Sequence, residues 1–215
     1  KKHLKLVNEY LKLLATPELD IYSHQSDFKS SIIPELVCII FYQLVKRRSL
    51  PLIINGQNDI VIDLLFSHIN GGRIFPKNKR VDASLLIDYP IDCKASGTLL
   101  ENFSIPIVAV EVKTNLDKNM ISGIIHSVEK LKATFPECKY YVLSEFSDFN
   151  IKDQNYANSS IDEIYLLRKQ KRSDFRSKKI ANEISTELVL EFVKSVDKSV
   201  DKLSDEISTM DNKLT

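Results

Sequence analysis

Several residue types that mark large protein classes are scarce in this chain. Glycine occurs five times and proline seven times in 215 residues. That excludes collagen-like, low-complexity and Pro/Gly-rich disordered sequences. There are three cysteines, Cys38, Cys93 and Cys138, far apart and without a CxxC pair. An odd, scattered set of this kind argues against a disulfide framework and a zinc site, and points to reduced thiols in a cytoplasmic setting. Neither sign of charge dominates, since the formal net charge is +1. A near-neutral balance does not mark a nucleic-acid binder, nor does it exclude one, because the placement of charge decides. Long hydrophobic runs are also missing. The longest, Leu36 to Val45, is interrupted by Gln43 and is too short to span a bilayer, and no secretory leader pattern is visible.

Apolar residues make up 43% of the chain, enough for one domain with a sizeable core, or one domain and an appendage. Leu4, Leu6, Val7, Leu11, Leu13 and Leu14 predict a first amphipathic helix ending near Pro17. Ser31 reads as the N-cap of a second helix running to about Arg48, apolar nearly all round and so expected to be buried. Short β-rich runs follow at Ile60–Ile62, Leu64–Phe66, Arg73–Phe75 and Val81–Tyr89, with turns read at Gly71-Gly72 and at Pro76–Lys79. After a looser segment from Pro90 to Ser104, Ile105 to Lys113 is a continuous apolar strand, polar only at its far end, as in central strands covered on both faces. Asp117–Lys132 reads as a helix, and Tyr140–Leu143 and Ile161–Leu167 as strands. The middle of the chain is therefore an α/β core with a mixed sheet.

The tail has a different pattern. Val189, Val193, Val196, Val200, Leu203, Ile207, Met210 and Leu214 alternate four and three apart, a heptad seam on one long helix. Something must cover that stripe. The two candidates are the same helix of another chain, which is the favoured cover, and the chain's own body. Two units are expected, a catalytic domain over 1–176 and a C-terminal oligomerisation helix over 177–215.

The chemistry centres on Asp82, followed about thirty residues later by Glu111-Val112-Lys113. Phosphodiester hydrolysis needs a divalent metal against the phosphate, and magnesium is held by one or two carboxylates plus waters. A neighbouring lysine can orient the attacking water and offset developing charge. On a strand Glu111 and Lys113 share a face, while Val110 and Val112 face the core. Asp82 is placed near the start of the preceding strand, where antiparallel pairing brings it beside the Glu111 strand end. Acid-x-Lys alone is weak, since it occurs five times here, but the Glu111 copy alone ends a buried-strand pattern. The alternative is a surface ion pair on a strand emerging into water. Neither Asp82 nor Glu111 reads as a core-packing residue.

Val81-Asp82-Ala83-Ser84, followed by Ile107 to Asn115, resembles the core of the PD-(D/E)xK nucleases, and within them the type II restriction endonucleases. The resemblance covers roughly residues 30 to 145, with Val81 where the family often has proline. It implies a restriction-endonuclease-like mixed sheet flanked by helices. It also implies magnesium-dependent cutting of double-stranded DNA, leaving a 5′-phosphate. By the same resemblance Asp82 and Glu111 are the metal ligands and Lys113 the catalytic lysine. Glu35, on the helix before the sheet, fits a further ligand position, although an acid in a first helical turn is favoured anyway. DNA contacts are assigned to Lys79 and Arg80 beside the catalytic strand, and to Arg168, Lys171, Arg172 and Arg176 in the basic run Arg168–Lys179. Lys46-Arg47-Arg48, at a helix C-terminus, is a second basic cluster. His126 is read as facing solvent, and Asp59, Asp63 and Asp88 as structural. Cutting both strands requires two active sites, hence a dimer or a partner subunit. The competing readings are a resolvase or repair nuclease of the same superfamily, and an inactive nuclease-like interaction module.

Overall fold

The computed structural model describes residues 2–16, 27–67, 73–89, 93–95, 98–100, 103–149, 159–178 and 180–214. The elements in order are α1 (Lys2–Leu14), α2 (Asp27–Ser30), α3 (Ile32–Arg48), β1 (Ile53–Ser67), β2 (Arg73–Tyr89), β3 (Cys93–Ala95), β4 (Thr98–Leu100), β5 (Phe103–Leu116), α4 (Lys118–Thr134), β6 (Lys139–Ser147), β7 (Glu163–Leu166), α5 (Arg172–Lys178) and α6 (Thr186–Leu214). Five strands form one sheet in the order β1-β2-β5-β6-β7, antiparallel from β1 to β5 and parallel from β5 to β7, while β3 and β4 form a separate hairpin. No helix among the described residues is long and apolar enough to cross a membrane.

Alternation along the strands sorts the core into two layers. On one face Ala83, Leu85, Val108, Val110, Tyr141 and Leu143 pack under α1, α3 and α6. On the other, Leu86, Ala109, Tyr140 and Val142 pack against Ile121, Ile124, Val128 and Leu131 of α4. Helix α4 starts where expected, with Asp117 as its N-cap accepting from the Met120 N–H at 2.8 Å.

Four local readings change. Strand β2 begins at Arg73 and runs through Pro76–Lys79, which pair with β1 instead of turning. Before Ala83, β2 pairs with β1 alone, so this stretch has an open edge, where proline is tolerated in a strand. Asp82 therefore lies inside a long strand and not near its start. Ser31 has a helical backbone and makes no capping bond, because α2 leads directly into α3. Helix α3 buries one face only, leaving Ile39 and Tyr42 exposed on the other.

The fourth concerns the tail. Helix α6 runs unbroken from Thr186 to Leu214, but Val189, Phe192, Val196 and Val200 are buried in the chain's own core. The Phe192 ring meets Tyr141 and Tyr165 edge-on at 5.7 and 5.6 Å. The Tyr165 hydroxyl donates to Ser195 Oγ at 2.9 Å. Arg47 and Arg48, read as a basic cluster, pair with Asp197 at 2.6 and 2.9 Å, and Arg48 also pairs with Asp201. The first half of the seam is thus covered by the protein's own sheet and by α3. The side chains of its second half, Leu203, Ile207, Met210 and Leu214, lie outside the described residues, as does the turn read at Gly71-Gly72.

Candidate active site

The site forms where β2, β5 and β6 run side by side. The antiparallel register ends with Ala83 opposite Val110, so Asp82 and Glu111 are the next residues along their strands beyond that pair. The Val112 N–H donates to Asp82 Oδ2 at 2.7 Å, which fixes that carboxylate against β5. Glu111 is 9% exposed, so its charge needs partners. Lys113 Nζ lies 2.8 Å from its Oε1, Lys79 Nζ lies 2.8 Å from its Oε2, and the Tyr140 hydroxyl donates to Oε2 at 2.5 Å. Burial pushes the Glu111 carboxyl up, but the hydrogen bonds from Lys113, Lys79 and Tyr140 together outweigh it and hold the group down at about 2. Burial drives the Tyr140 phenol well above its ordinary range, and the neighbouring Glu111 charge adds to that, so it remains a donor at any working pH.

The chain thus brings Asp82, Glu111 and Lys113 together and adds two groups. Lys79 had been read as a DNA contact and instead bonds Glu111. Tyr140 had been read only as part of a strand. Two carboxylates on adjacent strands, one of them held ionised among cations, are a hard-oxygen donor set that suits a divalent ion keeping several waters.

Glu35 is not part of this cluster. It is exposed on α3, on the opposite side of the sheet, and no group of three or more His, Cys, Asp or Glu able to hold a metal occurs among the described residues. Asp88, on the Asp82 face by alternation, accepts from Ser104 Oγ at 2.5 Å, six residues away along β2. His126 is exposed on α4, as expected.

The basic run divides. Arg168 is turned inward and 7% exposed. Its Nε and Nη2 hold Glu145 Oε2 at 2.8 and 2.6 Å, and Nη1 donates to the Asn182 carbonyl. Its guanidinium also lies over the Phe146 ring, 5.3 Å from the centroid, and Phe146 stacks on Phe175 of α5. A phosphate contact by Arg168 would require breaking this buried pair, so the residue anchors α5 and does not reach solvent. Lys171 and Arg176 are exposed and Arg172 is half-buried, at the end of the sheet where Lys171 bridges Ser147. Arg80 is exposed and donates to Gln57 Oε1 at 2.9 Å.

A family model described as the Bpu10I restriction endonuclease matches residues 78–212, more than half of the chain and all of the site just described. The chain belongs to the Bpu10I restriction endonuclease family. It is a type II restriction-like DNA endonuclease of the PD-(D/E)xK type. A solved structure titled "native BbvCI A2B2 tetramer at low resolution" superposes with a TM-score of 0.69 at 26% identity, covering 92% of this chain and 73% of that one. No curated protein sequence matches. Restriction endonucleases of this kind generally use divalent metal ions.

Proposed function

We propose that the chain hydrolyses phosphodiester bonds of double-stranded DNA with magnesium bound between Asp82 and Glu111. The observation that carries this is the single cluster of Asp82, Glu111, Lys113 and Lys79 on one sheet face. Asp82 and Glu111 would hold the ion, which supplies charge against the phosphate and a more acidic bound water. Lys113, partnered by Glu111 in the resting state, orients the attacking water and offsets charge on the phosphoryl oxygens. The exposed cations Arg80, Lys171 and Arg176, with the half-buried Arg172, supply phosphate contacts.

Among the described residues there is one such cluster, so cutting both strands needs a second catalytic centre. The A2B2 assembly named for the solved relative favours a partner subunit over a pair of identical chains.

The test is incubation of the purified chain with supercoiled plasmid and phage DNA, with magnesium or with chelator. Magnesium-dependent breaks at discrete positions are expected. A chain acting without a partner would nick the plasmid, whereas a self-sufficient dimer would linearise it. Breaks that persist in chelator, or no breaks with magnesium in the presence of the partner subunit, would refute the reading.

A further inference from the structure

Tyr140 stands on the Glu111 face of the sheet, one parallel step earlier, since Ala109 pairs with Tyr140 and Glu111 with Val142. Its ring is fully buried. Its backbone is pinned from the other side. The Tyr140 N–H donates to Asp162 Oδ2 at 2.8 Å, and the Asp162 N–H donates to the Tyr140 carbonyl at 3.0 Å. Asp162 is in turn clamped by Lys132 and Lys139 at 2.5 and 2.9 Å. The hydroxyl therefore reaches Glu111 Oε2 from a rigid mount.

The other partners of Glu111 differ in kind. Lys79 and Lys113 are long, flexible and charged, and each must yield when a cation enters beside the carboxylate. A phenol is neutral, so it neither competes with a cation nor repels one. It can hold one carboxylate oxygen in both the empty and the loaded site.

We propose that Tyr140 is a positioning residue for the metal, its hydroxyl holding Glu111 Oε2 against the sheet so that Oε1 is presented to the divalent ion beside Asp82. This rests on the reading of Asp82 and Glu111 as the metal-binding pair. Groups that orient metal ligands in this way typically change affinity by roughly 10- to 100-fold when removed.

The experiment is direct binding of Mn2+ to the intact chain, read by the spin-resonance signal of the free ion, beside the magnesium dependence of plasmid cleavage. Tyr140→Phe keeps the ring that fills the core and removes only the oxygen. It should raise the Mn2+ Kd and the half-saturating magnesium together by about tenfold or more, with cleavage at saturating magnesium near wild type. Tyr141→Phe loses its bonds to Ser195 and Ser199 on the opposite face and should move neither. Placed in Glu111→Gln, Tyr140→Phe should add no further loss of Mn2+ affinity, because its effect passes through Glu111. Wild-type Mn2+ affinity in Tyr140→Phe, beside a weakened Glu111→Gln, would overturn the proposal alone. Equal Mn2+ binding by wild type and Glu111→Gln would overturn the metal-site reading and the proposal with it.

Discussion

Replacing Glu111 with Gln keeps the shape of the site and removes one negative charge from among two ammonium groups and a phenol. The carboxyl is held at about 2 against an ordinary 4.5. At about 1.4 kcal/mol per pKa unit, that difference favours the charged, folded form by about 3 kcal/mol, an order-of-magnitude figure. The group is depressed on folding, so this stabilisation is fully present above about pH 4.5 and fades as pH falls towards 2. Glu111→Gln should therefore lower Tm at neutral pH by roughly 6–12 °C, at about 2–4 °C per kcal/mol for a domain of this size. The gap between wild type and variant should narrow on acidification below pH 4.5. Glu111, which does not read as a core-packing residue from sequence, thus supports the fold because it is buried in a charge network. The same substitution releases Lys79 and Lys113 towards an incoming phosphate. Binding of duplex DNA in chelator should tighten while cleavage is lost. Thermal melts followed by circular dichroism across pH, with filter binding in chelator, measure both effects. An unchanged neutral-pH Tm, or weaker metal-free DNA binding, would refute the reasoning.

Truncation after Lys178 removes Val189, Phe192, Val196 and Val200 from the core. At about 1.5–3 kcal/mol for each buried apolar side chain, the loss is roughly 6–12 kcal/mol, comparable to the whole stability of a domain, so this fragment should not fold. A folded 1–178 fragment would contradict the packing of α6. Arg168→Ala should lower Tm through loss of the buried Glu145 pair without changing the salt dependence of DNA binding. Neutralising Arg172 and Arg176 together should leave Tm near wild type and flatten that salt dependence, and an unchanged slope would assign α5 to solvent.

Much of this architecture was legible from local pattern. The run Ile105 to Lys113 is apolar on both faces until Glu111, and it is the central strand. The spacing of Ile121, Ile124, Val128 and Leu131 gave α4, and these four are the residues it buries. What was hidden depends on partners distant in sequence. Pro76 and Asn78 look like turn residues, and only pairing with β1 holds them in a strand. Arg168 looks like the start of a basic surface run, and nothing nearby announces Glu145 waiting in the core. Tyr140 sits in an apolar alternation where a ring is sufficient, and its hydroxyl gains meaning only when β6 is laid beside Glu111. The seam from Val189 has the same period whether the cover is another helix or the chain's own sheet. Periodicity reports that a face is buried and not what buries it.

The most direct test of the active site is cleavage of supercoiled plasmid by wild type and Asp82→Asn, side by side, with magnesium and any partner subunit supplied. Asp82→Asn keeps an oxygen for the Val112 N–H and removes only the charge. Magnesium-dependent breaks by the wild type are expected, and none by a folded, DNA-binding Asp82→Asn. Cleavage by that variant at the wild-type rate would contradict the assignment of Asp82 and Glu111 as the metal-binding pair.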